Sequence, residues 1–196
     1  VLMMFVAGME WKWFGAMGIA GVVGMIALIF TDDGGYRLKR VTSFFDPFQD
    51  ALGDGFQVVQ SLLALGSGGL FGVGLGKSVQ KNLYLPEPQN DFILAIIGEE
   101  CGFIGIILLM AAYLFLIYRG VHIAINAPDQ FGLLLAAGVV IMIAVQVVLN
   151  VAVVTSSMPP TGVILPFISY GGNALMMFMS SIGILLNISR HTVDVK

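Results

Sequence analysis

Three carboxylates stand close together in a part of the chain that is otherwise apolar. Asp91 lies between a proline-containing polar loop and a long apolar run, and Glu99 and Glu100 follow inside that run. A carboxylate within hydrogen-bond reach of a hydroxyl takes its proton as a new bond forms, and such general base catalysis contributes about 10²–10⁴-fold to a rate. The three acids are therefore the first candidates for chemistry.

Asp91 has two interpretations. At the mouth of a membrane span it is within reach of both water-soluble groups and a membrane-bound lipid, as a general base at the membrane surface requires. The dipole of the helix that follows favours the ionised carboxylate. An aspartate just before a helix also serves as an N-cap. Catalysis and capping both remain open, and the two are compatible.

Glu99 and Glu100 lie deeper in the predicted helix, about 12–14 Å from Asp91 along a straight axis. An unpartnered acid inside a membrane is costly, so both side chains should face protein or a wet cavity rather than lipid. Adjacent helical residues point about 100° apart, so the two acids have different partners. We expect them to anchor neighbouring helices rather than to react.

Two amides, Gln146 and Asn150, are four residues apart in a later apolar run and therefore share a helical face. Amides within a membrane form hydrogen bonds between helices, often at modest gain. We expect these two to pack helices together; lining a groove for a lipid substrate is the alternative.

The elements that carry these residues are membrane spans. Of the 196 residues, 58% are hydrophobic and 11% are charged, whereas soluble domains have roughly 45–50% apolar and about 25% charged residues. We predict an all-α, polytopic integral membrane protein with about five transmembrane helices of about 20 residues each. An irregular glycine-rich segment and a long outer loop complete it. The predicted spans are residues 13–30, 56–75, 92–118, 131–154 and 168–188.

The charges of the short loops predict the orientation. Lysine and arginine are enriched in cytoplasmic loops, and one side carries six of them against three on the other. The tail is then cytoplasmic, and the Asp91 loop faces outward. No basic run suggests nucleic acid, and the single cysteine, Cys101, excludes an internal disulfide. The six are Arg37, Lys39, Arg40, Arg119, Arg190 and Lys196, and the three are Lys12, Lys77 and Lys81.

Four stretches of the sequence occur in an order that resembles a known family. They read RVTSFFDPFQDALGDGFQVVQSLLALGSGGLFGVGLGKSVQK, YLPEPQNDFILAIIGEECGFIG, PPTGVILPFISYGG and GILLNISRH. Together they resemble the SEDS proteins (shape, elongation, division, sporulation) FtsW, RodA and SpoVE, and QKNLYLPEPQ is more similar to the FtsW and SpoVE branch. The resemblance implies that residues 1–196 are the C-terminal part of one membrane domain of about ten spans.

The resemblance also implies a function. SEDS proteins are peptidoglycan glycosyltransferases that polymerise lipid II at the outer face of the bacterial cytoplasmic membrane, with a class B penicillin-binding protein as partner. The family's essential aspartate falls on Asp91. Asn90 stands where the family usually has threonine, GEECG replaces GEELG, and SYGGNA replaces SYGGSS. A lipid II flippase and a non-catalytic scaffold for the penicillin-binding protein are the alternatives. The choice among division, elongation and sporulation stays open.

This chemistry expels a lipid pyrophosphate, which requires nearby positive charge. Lys77 and Lys81 either bind the pyrophosphate or are ordinary surface lysines. The resemblance also implies Mg²⁺ or Mn²⁺, for which the sequence identifies no ligand set. Glu87 is a second acid, a cation ligand or a solvated loop charge. We expect the segment before the last span to fold back over the cavity beside the Asp91 loop. Its hydrogen-bonding candidates for sugar or phosphate are Ser169, Tyr170 and Asn173, and a purely structural re-entrant turn is the alternative.

Overall fold

All regular elements in the described part of the chain are helices. The structure is a computed structural model that describes residues 2–30, 55–80 and 90–191. The prediction of an all-α membrane protein is confirmed. The helices are α1 (Leu2–Val6), α2 (Trp11–Phe30), α3 (Phe56–Gly68), α4 (Ile93–Ile125), α5 (Gln130–Val154) and α6 (Gly172–Ser189).

Three of the described helices, α4, α5 and α6, are long and apolar enough to cross a membrane. α4 is 33 residues long and α5 is 25. Asp129 begins α5 as its N-cap, where its carboxylate accepts a hydrogen bond from the Gly132 amide at 3.3 Å. The described side chains of α2 are mostly exposed, as expected of a helix that is apolar on all sides and belongs in a bilayer.

The helices differ from the predicted spans mainly at their ends. α4 continues past residue 118 to Ile125. α3 stops at Gly68, although the second span was predicted to reach residue 75, because a glycine-rich loop follows. α6 starts at Gly172 rather than at 168, because the amides of Ile168 and Ser169 both bond the Leu165 carbonyl in a preceding turn.

The core lies where α4 packs against α3 and α5, with α6 against α5. Its buried side chains are alanine, branched aliphatic and aromatic residues, one of them a tyrosine. The turn that precedes α4 contributes Phe92, and the segment between α5 and α6 contributes Leu165; both are fully buried. The core therefore joins the two irregular segments to the helices. Its main members are Ala64, Phe92, Leu94, Ala95, Tyr113, Ile143, Val147, Leu165 and Phe178.

α4 is interrupted at Gly102, which has φ 70° and ψ −170°. In an unbroken helix the amides of Phe103 and Ile104 would bond the carbonyls of Glu99 and Glu100. The interruption frees these four groups, which would be costly inside a membrane without other partners.

The glycine-rich loop after α3 supplies those partners. The amides of Val73 and Gly74 donate to the Glu99 and Glu100 carbonyls at 2.9 and 3.1 Å. The freed amides of Phe103 and Ile104 donate to the Gly69 and Leu70 carbonyls at 2.9 and 3.2 Å. The loop is thus inserted into the hydrogen-bond ladder of α4. We refer to residues 69–74 together with residues 99–104 as the loop–helix joint.

Glycine is required at the centre of this joint. Gly72 has φ 80°, and a Cβ there would collide with the Glu100 carbonyl. A Cβ at Gly102 would collide with the Gly72 amide nitrogen. Both residues therefore combine a backbone conformation that favours glycine with a close approach of two backbones.

Candidate functional site

Asp91 lies in the turn that immediately precedes α4. Its side chain is half-buried, whereas the neighbouring Phe92 is fully buried in the core. α4 begins at Ile93, and Phe92 occupies its N-cap position with no side-chain capping bond. Asp91 is therefore one residue before the N-cap position, next to the buried Phe92.

A buried amide contacts the Asp91 turn from α5. Asn150 is 0% exposed. Its Nδ2 donates to the backbone carbonyl of Asp91 at 2.8 Å and to the backbone carbonyl of Val163 at 2.7 Å. The structure thus brings Asp91 together with the segment between α5 and α6. The sequence placed Asn150 on a helical face but did not indicate these two partners.

The segment between α5 and α6 is folded tightly around Leu165 and Pro166. The Leu165 amide donates to Ser169 Oγ at 2.7 Å, and the Tyr113 hydroxyl on α4 donates to the Pro166 carbonyl. Phe167 has φ 67°, which is uncommon for a residue with a side chain. This segment is held by hydrogen bonds from two sides, so its end near α6 has a defined shape.

The three candidates on this segment have different surroundings. Ser169 is buried, and its hydroxyl oxygen accepts a hydrogen bond from the Leu165 amide. Tyr170 is 76% exposed, and Asn173, in the first turn of α6, is also exposed. Tyr170 and Asn173 are thus accessible to a ligand, whereas Ser169 shapes the turn that presents them.

Glu99 and Glu100 also differ in their surroundings. Glu99 is 2% exposed; its carboxylate accepts hydrogen bonds from the Ser78 hydroxyl and from the Val79 amide, the latter at 3.0 Å. Glu100 is half-buried, and its Oε1 has no hydrogen-bond partner among residues 2–30, 55–80 and 90–191. Glu99 therefore ties the loop after α3 to α4 through its side chain as well as through its backbone.

Two of the remaining candidates, Lys77 and Gln146, belong to the described residues. Lys77 is exposed on the glycine-rich loop, where its amide bonds the Gly74 carbonyl at 3.2 Å. Lys81 and Glu87 lie outside the described residues. Gln146 is half-buried, and its Oε1 has no partner within the described ranges.

No group of three or more histidine, cysteine, aspartate or glutamate side chains that could hold a metal is present in the part of the chain that the structure describes. The Mg²⁺ or Mn²⁺ expected from the resemblance has no ligand set among these residues.

Sequence reasoning assigned no partner to three buried hydroxyl groups that join one segment of the chain to another. Ser78 bonds Glu99, Tyr113 bonds Pro166, and Ser61 on α3 donates to the Val154 carbonyl at the end of α5 at 2.9 Å. A polar side chain in an apolar span signals that a partner exists, because an unpaired polar group is costly there. The partner itself depends on the tertiary fold.

The sequence matches one protein family along almost its whole length. The profile of the FtsW, RodA and SpoVE family, described as a cell cycle protein, matches residues 1–194. The chain is 49% identical over 192 residues to stage V sporulation protein E of Bacillus subtilis, covering 98% of this chain and 52% of that protein. It is 46% identical over 189 residues to a probable peptidoglycan glycosyltransferase FtsW of Geobacter sp., covering 96% and 51%. The chain thus spans about half the length of these relatives.

Two solved structures share the fold. One, described as the structural coordination of polymerization and crosslinking by a peptidoglycan synthase complex, superposes with a TM-score of 0.77 at 30% identity and covers 98% of this chain and 53% of that one. The other, a mutant of the rod shape determining protein RodA of Thermus thermophilus, has a TM-score of 0.53 at 26% identity and covers 98% and 63%.

Proposed function

Because the chain belongs to the FtsW, RodA and SpoVE family of cell cycle proteins, we propose that it is part of a peptidoglycan glycosyltransferase that polymerises lipid II. The observation that carries the proposal is the position of Asp91 at the head of α4, where Asn150 joins its backbone to the segment between α5 and α6. The relatives that are named as probable peptidoglycan glycosyltransferases support it.

Asp91 is the general base in this proposal. A hydroxyl of one disaccharide attacks the anomeric carbon of another, the bond from that carbon to the lipid pyrophosphate breaks, and the configuration inverts. The Asp91 carboxylate accepts the hydroxyl proton as the new glycosidic bond forms and later releases it to water. A positioned base of this kind contributes about 10²–10⁴-fold.

The departing pyrophosphate needs positive charge. Lys77 is exposed on the loop that Glu99 ties to α4. Because that loop is fastened to the helix, the ammonium group of Lys77 stays near α4, where we propose that it binds the pyrophosphate. Lys81 is the second candidate for binding the pyrophosphate. A Mg²⁺ or Mn²⁺ ion, with Glu87 as its proposed ligand, would supply further positive charge when bound. Tyr170 and Asn173 are proposed to hydrogen-bond the sugars, with Ser169 shaping their turn.

The chain is a multi-pass membrane protein, and we propose that the Asp91 turn faces the outside of the bacterial cytoplasmic membrane with the tail in the cytoplasm. The excess of lysine and arginine on the opposite side supports this orientation. A class B penicillin-binding protein is the proposed partner, because one solved structure similar to this chain is described as a peptidoglycan synthase complex that coordinates polymerization and crosslinking.

A transport function would use the break in α4 differently. Transporters bind substrates and ions at the free backbone groups of interrupted helices near the middle of the membrane. Here the Glu99 and Glu100 carbonyls and the Phe103 and Ile104 amides are already bonded to the glycine-rich loop. The break is therefore a structural joint, and it does not favour a flippase.

Polymerisation in detergent tests the proposal. The complete protein, purified in detergent with and without a class B penicillin-binding protein, is given lipid II, and glycan strands are separated by size. Detergent abolishes the two sides of the membrane, so a flippase or a scaffold yields no strands. Strands made by the complete protein support the glycosyltransferase; none under either condition would contradict it.

A further inference from the structure

Asn150 has an unusual pair of partners. Burial of an amide donor without a partner is costly, and the Nδ2 group of Asn150 is fully hydrogen-bonded, whereas its Oδ1 has no partner among residues 2–30, 55–80 and 90–191. Asn150 Nδ2 carries two hydrogens, and the two acceptors, the Asp91 and Val163 carbonyls, belong to two different segments outside α5. One side chain therefore connects the turn before α4 with the segment before α6, and α5 acts as the rigid support.

The bond to Asp91 acts on the backbone next to the carboxylate. The Asp91 carbonyl belongs to the peptide plane that joins this residue to Phe92, and the Asp91 side chain branches from the same Cα. Phe92, the next residue, is anchored in the core. Fixing the plane between the buried ring and the buried amide restricts where the carboxylate can point.

We propose that Asn150 is a positioning residue for Asp91: its amide sets the place of the carboxylate relative to the segment that carries Tyr170. This inference rests on the proposed function. Reacting groups must be held close to the productive geometry, and a displacement of about 1 Å costs on the order of 10²-fold in rate. Both hydrogen bonds of Asn150 Nδ2 go to backbone carbonyls, and the side chain is buried, so it acts through Asp91 and not on substrate.

Removal of the amide tests the inference in the complete protein. We expect Asn150→Ala to lower the rate of lipid II polymerisation per folded molecule by about 10–100-fold. The number of lipid II molecules bound per protein stays the same, because the substrate-contacting side chains remain. A loss of folded protein would instead reduce binding and rate together, so the ratio of rate to bound substrate separates positioning from stability.

A second variant keeps the shape of the side chain. Asn150→Asp is isosteric with the wild type. An ionised aspartate donates no hydrogen bond and a protonated one donates a single bond, so the carbonyls of Asp91 and Val163 cannot both be hydrogen-bonded. We expect this variant to lose rate as Asn150→Ala does. Wild-type turnover by Asn150→Asp would show that shape alone matters and would overturn the inference.

Ser61→Ala is the matched control. Ser61 is also buried and also donates to a backbone carbonyl of another element, but its hydrogen bond goes to Val154 at the end of α5 and not to the Asp91 turn. It should retain the wild-type rate within about twofold. Equal losses in Ser61→Ala and Asn150→Ala would overturn the positioning role.

Hydrogen exchange gives a readout independent of activity. Asn150→Ala should speed amide exchange in residues 90–95 and in residues 163–170 together, whereas Ser61→Ala should leave both segments as in the wild type. Unchanged exchange in both segments would contradict the inference. The proposed function fails separately, if Asp91→Asn polymerises normally; the inference fails if Asp91→Asn is inactive while Asn150→Ala is fully active.

Discussion

At the scale of single residues, the site combines one acid near its surface with one acid that is fully committed to structure. Glu99 receives hydrogen bonds from Ser78 and Val79 and is excluded from solvent, whereas Asp91 is half-buried. The sequence assigned Asp91 to chemistry and Glu99 to anchoring. It did not indicate that the anchoring partner of Glu99 is the loop after α3.

Glu99→Gln should destabilise the protein. The amide replaces one acceptor oxygen by a donor, which then faces either the Ser78 hydroxyl or the Val79 amide. The expected cost is about 1–3 kcal/mol for a buried group left unsatisfied. Thermal unfolding in detergent measures it, and Glu100→Gln is the control, because the Glu100 Oε1 has no such partners in the described ranges. Equal melting temperatures for the two variants would contradict this role of Glu99.

At the scale of elements, the sequence predicted the existence of the helices better than their ends and contacts. Long apolar runs with few charges indicated the spans, whereas the aspartate cap that begins α5 was not predicted. The insertion of the glycine-rich loop into α4 could not be predicted, since it depends on a hydrogen-bond exchange between segments about 30 residues apart. The same holds for Asn150, whose face was predicted but whose partners were not.

Gly102→Ala should break the loop–helix joint. A side chain at φ 70° and ψ −170° is strained by about 1–3 kcal/mol, and its Cβ would also collide with the Gly72 amide. We expect a lower melting temperature and faster hydrogen exchange in residues 69–74. Gly66→Ala in α3 is the control, because a Cβ there meets nothing within 4 Å. It should be neutral or stabilising, by up to about 1 kcal/mol; the opposite order of the two variants would refute the joint.

At the scale of the whole molecule, composition and resemblance carried the prediction furthest. The low share of charged residues indicated a membrane protein, and the resemblance to the SEDS family is confirmed by the match over residues 1–194. The orientation stays a prediction, because the apolar helices α4, α5 and α6 do not themselves indicate which of their ends is cytoplasmic. Only the charges of the loops between them do so. Lys81 and Glu87 also stay predictions, since they lie outside the described residues.

Cysteine labelling tests the orientation. In a Cys101→Ala background, Tyr170→Cys should react with a membrane-impermeant maleimide in intact spheroplasts, because its position is exposed on the side predicted to face outward. His191→Cys, exposed beyond the end of α6, should react only after permeabilisation. The reverse pattern would place Asp91 on the cytoplasmic side and would contradict the site of reaction.

The central claim is that the Asp91 carboxylate accepts the hydroxyl proton during polymerisation. The most direct test compares the rate of glycan strand formation by the complete protein with the rate of its Asp91→Asn variant. Asp129→Asn serves as the control, because asparagine also caps a helix and Asp129 lies about 30 Å along α5 from Asn150. The account predicts that Asp91→Asn loses at least about 10²-fold in rate while still binding lipid II, with Asp129→Asn unaffected. Strand formation by Asp91→Asn at the wild-type rate would contradict it.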